Sequence, residues 1–129
     1  MIGEVIEEIT IHVPEPAYQK LSGEIQNNGF VGFPLEVELV SLLEGEPSTN
    51  YKIEMSMTTP GGKTVPLAEA NLLTGPNGRV RNRMRFNGMP IGGDGRHIVT
   101  ISTIQKGEKY TVAEAPLFIV FKPQQKTTS

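Results

Sequence analysis

Hydrophobic and polar residues alternate along much of this chain. In "LEVELVSLL" (35–43), Leu35, Val37 and Leu39 share one side, while Glu36 and Glu38 share the other. "YKIEMSMT" (51–58) sets Tyr51, Ile53, Met55 and Met57 against Lys52, Glu54 and Ser56. A period of two is what a half-buried strand requires, because successive side chains point to opposite faces. "HIVTISTI" (97–104) and "APLFIVF" (115–121) are richer in β-branched and aromatic residues and read as more buried strands. The period recurs in "GRVRNRMRFNG" (78–88). There Arg79, Arg81, Arg83 and Arg85 take one face, and Val80, Asn82, Met84 and Phe86 take the face that can enter a core.

Turn chemistry falls between these runs. "TPGGK" (59–63) has Pro and Gly placed for a tight turn. "TGPNGR" (74–79) contains Asn77-Gly78, and "QKGEK" (105–109) centres on Gly107; both suit hairpins. "NGMPIGGDG" (87–95) is too rich in glycine to be a regular element. Short strands with turns every 8–12 residues mark an all-β sandwich or barrel. The stretch 14–29, "PEPAYQKLSGEIQNNG", admits two readings. Pro16 and Asn28-Gly29 would start and stop a helix, with Tyr18, Leu21 and Ile25 near one face. Against that, Gly23 would sit mid-helix, and Leu21, Gly23 and Ile25 alternate with Ser22, Glu24 and Gln26. The alternation favours a strand over 20–27.

The succession "KLSGEIQNNG", "FPLEVELVSLL", "YKIEMSMTTPGGK", "MPIGGDGRHIVTISTIQKGE" and "APLFIVF" is similar to a family of uncharacterised bacterial proteins, a domain of unknown function. The resemblance implies a single immunoglobulin-like antiparallel β-sandwich of seven to nine strands, and it brings no activity with it. In such folds a Tyr near the start of a late strand bonds the backbone upstream. "DGRHIV" puts His97 at that place.

The 129 residues suit one domain with one core, here 1–122, followed by a polar tail, 123–129, expected to be disordered. The net charge of −2 implies no attraction of the whole molecule to nucleic acid or membrane. The absence of cysteine removes thiol catalysis, thiolate metal sites and disulfides, and favours a reducing compartment. "MIGEVIEEITIHV" has no basic n-region and does not read as a signal peptide. The expected location is the cytoplasm of a bacterium or of a phage-infected host.

Catalytic patterns are scarce. "GGKT" (61–64) lacks the glycine a phosphate loop needs, since Met57 stands there, and it joins two strands. The glycine-rich loop 87–95 could cradle an anion, but reads more simply as a crossover. One aspartate, Asp94, and two histidines, His12 and His97, do not make a calcium or zinc set. His12 reads as a strand-surface residue and His97 as partly buried and hydrogen-bonded. No nucleophile elbow accompanies Asp94 and His97. Glu36 and Glu38, about 7 Å apart on one strand face, read as a solvated surface. No enzyme, metal or cofactor is expected.

The arginines remain. On one strand they span roughly 20 Å. If 74–78 closes a hairpin, Leu73, Asn71, Glu69 and Leu67 lie opposite them and only Glu69 offers an ion pair. The charge then stays in surplus, unless Glu36, Glu38 or Glu54 sits on the other neighbouring strand. A solvated face or edge protection would account for the stripe. So would a docking surface for an acidic protein or a phosphate-bearing ligand. Nucleic acid fits less well, because no aromatic residue interleaves the arginines for base stacking. The expected function is a non-enzymatic protein-interaction or assembly module with a protein partner and no membrane. The alternatives are an anionic-ligand or nucleic-acid binder through Arg79, Arg81, Arg83 and Arg85, and an accessory part of a phage particle or secretion apparatus. Pairing of an edge strand with a second copy is a further expectation.

Overall fold

The computed structural model describes residues 7–34 and 36–123. Nine strands and one helix follow in the order β1 (Glu7–Val13), α1 (Glu15–Asn28), β2 (Val31–Phe33), β3 (Val37–Glu44), β4 (Asn50–Thr58), β5 (Thr64–Leu73), β6 (Arg79–Phe86), β7 (Met89–Ile91), β8 (Gly95–Gln105) and β9 (Glu108–Pro123). The polar tail expected from 123 onward lies outside the described residues, apart from Pro123 at the end of β9.

Five strands form one layer in the order β1-β9-β8-β4-β5. The second layer is a ribbon in which β3 pairs with β6 and β2 with β7. Between the pairs the register shifts by one, from Phe33 beside Met89 to Val37 beside Phe86. The core lies between the layers. The alternation in β4 turns Ile53, Met55 and Met57 inward, and they meet Val99 and Ile101 of β8 and Leu117, Ile119 and Phe121 of β9. Val80, Met84 and Phe86 pack onto the same cluster, as the period of two in 78–88 predicts. The architecture is an immunoglobulin-like β-sandwich in which β4, β5, β8 and β9 stand for C, C′, F and G and the ribbon stands for B and E.

Four expectations need correction. The sandwich is not wholly antiparallel, because β1 runs parallel to β9, with Glu7 beside Leu117. The glycine-rich segment 87–95 does contain a strand, since Met89, Pro90 and Ile91 are buried against β2. Residues 15–28 are a helix, not a strand. Its period decides this: Ala17, Tyr18, Leu21 and Ile25 come to one side and pack on the core. Pro16 lies in the first turn, and Gly29 ends the helix with a left-handed backbone, its N–H donating to the Ile25 carbonyl at 2.7 Å. Burial of that face outweighs the roughly 1 kcal/mol that Gly23 costs inside a helix.

Finally, 74–78 closes no hairpin. It crosses from one layer to the other, and β6 pairs with β3 instead of β5. The crossing is held by the neighbouring connection 45–49. Gly45 N–H donates to Gly78 O at 2.7 Å, Ser48 N–H to Gly75 O at 3.0 Å and Thr74 N–H to Thr49 O at 3.0 Å. The glycine of Asn77-Gly78 is therefore needed for a crossing and not for a reversal. Gly78 has φ of 77°, and a Cβ there would lie 2.3 Å from the Gly45 carbonyl oxygen. The other two turns do close hairpins, β4–β5 and β8–β9. In the latter, Lys106 and Gly107 both have positive φ, 51° and 78°, as a two-residue I′ turn requires.

Gly78→Ala is expected to destabilise the fold by more than about 1 kcal/mol in urea denaturation, through the strained φ and the carbonyl contact. Gly61→Ala, with nothing within 4 Å of the added carbon, is expected to stay within about 0.5 kcal/mol of the parent. Equal stabilities would contradict the close packing of the two crossings.

Candidate functional site

The four arginines occupy the outer face of the ribbon, and all four are exposed. Their neighbours across the strand pair are Glu44 opposite Arg79, Leu42 opposite Arg81, Val40 opposite Arg83 and Glu38 opposite Arg85. Arg79 Nε lies 2.9 Å from Glu44 Oε1. Glu38 serves two arginines, with Arg83 Nε at 2.8 Å from Oε1 and Arg85 Nε at 3.4 Å from Oε2. The Arg83 contact is diagonal across the pair, within reach of a long side chain. Arg81 has no ion pair among the described residues. Within the paired stretch, 37–44 with 79–86, four arginines on this face stand against two glutamates. Of the glutamates that the sequence reading weighed as partners, Glu38 is the one used. Glu54 pairs instead with Lys109 at 2.8 Å on the outer face of the other sheet, and that bond holds its carboxyl below the usual range.

Val40 and Leu42 complete the face and were missed. They are 46% and 62% exposed, between the arginines and the glutamates. The signal was in the chain: carrying the period of Glu36 and Glu38 two steps further places 40 and 42 on the same side. Behind them, Ser41 and Asn82 face each other on the inner side, and the Ser41 Oγ and Asn82 Nδ2 are buried without a hydrogen-bond partner among the described residues.

The Asp94–His97 region has a different part. His97 is fully buried. Its Nε2 accepts the Gly92 N–H at 2.9 Å, which leaves the proton on Nδ1 to donate to the Gly95 carbonyl at 3.2 Å. The ring thus bonds the backbone of the loop that leads into β8 through both of its nitrogens. The Asp94 Oδ1 accepts the Phe121 N–H. Phe121 stacks on Tyr18 of α1 at 5.0 Å between ring centres and meets Phe33 of β2 edge-on at 6.4 Å. The imidazole and the carboxylate are thus both engaged with backbone. His12 is an exposed residue of β1. Among the described residues no three His, Asp or Glu side chains come together as a metal set, and no helix is long and apolar enough to cross a membrane.

Known proteins add nothing to this geometry: no family model, curated protein or solved structure matches the chain.

Burial holds the His97 ring below its ordinary pKa of 6.5, against the smaller opposing effect of its bond to the Gly95 carbonyl. The folded value lies below the unfolded one, so the unfolded chain binds the extra proton first. The stability due to His97 is complete above about pH 6.5 and is lost as pH falls towards the lower folded value. Urea denaturation is expected to show falling stability between pH 7.5 and pH 5, with a slope of up to about 1.4 kcal/mol per pH unit from this ring. His97→Gln keeps an acceptor for Gly92 but cannot take up the proton, and should flatten that part of the profile. An unchanged profile would contradict the assignment.

Proposed function

We propose that this chain is a non-enzymatic protein-interaction or assembly module that docks through the outer face of β3 and β6. One observation carries the reading: two aliphatic side chains, Val40 and Leu42, stand exposed on β3 between Glu38 and Glu44 and opposite Arg83 and Arg81. That is the anatomy of a protein interface, an apolar centre that loses water on contact and a polar rim that sets register. Arginine suits the rim, since its stem adds apolar area and its planar head can take a carboxylate in two bonds. The Glu38 and Glu44 contacts are exposed, worth about 0–1 kcal/mol each, and so easily exchanged for a partner's carboxylates.

The four arginines also favour the alternative, an anionic ligand or nucleic acid. The described face carries no aromatic side chain on which a base could stack, and Phe86 turns inward. A protein partner is therefore preferred. A role in assembling a phage particle or a secretion apparatus would use the same face. A cytoplasmic location goes with this reading, since a chain without cysteine needs no oxidising compartment.

Replacing Arg81 and Arg83 together by glutamate is expected to weaken partner binding by about 2 kcal/mol or more, because matched charges become like charges. Folding stability should move by no more than about 1 kcal/mol. The measurement is retention of proteins from native lysate on the parent and on the double variant, with urea denaturation of both. Equal retention would contradict the reading, and loss of the retained material on nuclease treatment would favour the nucleic-acid alternative.

A further inference from the structure

The ribbon lies with β3 toward β9, since residues 37–42 and 113–117 flank one groove, and with β6 toward β5, since Leu72 and Val80 line one cavity. β6 is hydrogen-bonded to β3 on one edge; among the described residues nothing pairs with its other edge. The chain between β5 and β6 cannot fill that place, because residues 74–78 alone join them and are used in crossing between the layers. The described chain meets residues 1–6 at Glu7, beside Leu117, and meets 124–129 at Pro123, beside Val13. Both places lie on β1 and β9, at the far side of the sheet whose near edge is β5. Four strand spacings, about 19 Å, separate β1 from β5. The flank between β5 and β6 is apolar and only partly covered. Ala68, Ala70 and Leu72 on the inner side of β5 are half-buried, and so are Val80, Met84 and Phe86 on the inner side of β6.

We infer that the free edge of β6 receives an extended segment of a partner protein in which apolar and acidic residues alternate, added antiparallel as a third strand of the ribbon; the inference rests on the docking face proposed above. β3 shows the chemistry that β6 accepts. From the paired edge, Glu44 stands opposite Arg79 and Glu38 opposite Arg85, while Val37, Leu39 and Leu43 turn inward with Phe86, Met84 and Val80. A strand of the same pattern on the other edge would take up the free backbone groups of β6 and lay its apolar side chains against the flank, where Ala68 and Ala70 are small. Its acidic side chains would stand directly opposite the arginines, about 5 Å away between Cβ atoms. The arginines have capacity for them. Arg81 has no ion pair among the described residues, and Arg83 and Arg85 share the single carboxylate of Glu38. Charge also decides against a second copy. Two β6 edges paired antiparallel set arginine opposite arginine in every register that keeps Val80, Met84 and Phe86 inward, and like charges directly opposite destabilise a sheet. The stripe thus bars self-pairing and admits an acidic strand.

The test uses the full chain and two synthetic peptides of eight residues, the length of β6. One alternates valine with glutamate and the other valine with lysine. The glutamate peptide is expected to bind at least about tenfold more tightly than the lysine peptide, and the preference should reverse in the Arg81→Glu, Arg83→Glu variant. It should also slow hydrogen exchange at the alternate amides of Arg79–Phe86 that face away from β3. N-methylation separates a paired strand from a peptide that merely lies on the face, because successive residues of a strand point their N–H groups to opposite sides. Methyl groups on one alternate set of the glutamate peptide should weaken it at least about tenfold, and on the other set should leave it within about threefold. Failure of the glutamate peptide to bind, equal binding of the two peptides, equal effects of the two methylated sets, or slowed exchange confined to other strands would overturn the inference. So would self-association of the free chain that protects the same amides of β6. Two outcomes separate this inference from the docking reading. A lysate partner lost in the Arg81→Glu, Arg83→Glu variant but not displaced by the glutamate peptide would keep the face and remove the added strand. A partner kept by the variant would remove the face, and the inference with it.

Discussion

The bond from the Gly92 amide to the buried His97 ring is the constraint on which the packing of the two layers rests. A ring buried this deeply must have both nitrogens satisfied, and here both partners are backbone groups of one short loop. That fixes the loop against the start of β8. The loop in turn delivers Asp94 to the Phe121 amide on β9, and Phe121 carries the aromatic contacts to α1 and β2. One polar residue at a strand entry therefore couples the central sheet, the helix and the second layer. The crossings at 45–49 and 74–78 do the equivalent at another point of the molecule, with backbone bonds in place of a ring.

Among the described residues, the side of the ribbon nearest β9 has little covering. α1 packs through Tyr18 against the Phe121 end of β9, and the Ala113–Leu117 part of that strand instead lines the groove beside β3. A sheet edge left bare is a hazard unless it is guarded or used. The outer face of β3 and β6 has the charges that discourage indiscriminate pairing, yet it also exposes Val40 and Leu42. Guarding alone does not explain aliphatic residues among the charged ones. The docking proposed above would account for both.

Much of the fold was legible in the sequence because the side-chain period of a strand is short and strict. β4, β6 and β8 follow directly from alternation, and the inward set Val80, Met84 and Phe86 from the same rule. The helix was not, since Leu21 and Ile25 satisfy a period of two and a period near four equally well, and only the surface they meet distinguishes the two. Pairing was also hidden. Asn77-Gly78 has the local chemistry of a hairpin, but which strand lies beside β6 depends on Gly45 and Thr49, some 30 residues upstream. For that reason the arginines were legible as an exposed stripe and Glu38 as one candidate partner, while their other neighbours, Val40, Leu42 and Glu44, were not.

The account stands or falls on β3 pairing with β6 and not β5 with β6, because that pairing sets Val40 and Leu42 opposite the arginines. Alternate residues of an antiparallel strand turn their amides toward the one neighbour and the rest away from it. Hydrogen exchange of the isolated chain, resolved amide by amide, should therefore show the alternate amides of Val37–Glu44 that face β6 exchanging slowly, while β8, flanked on both sides, is protected throughout. Fast exchange of all the amides of β3 would contradict the account, because β3 would then not be held against β6.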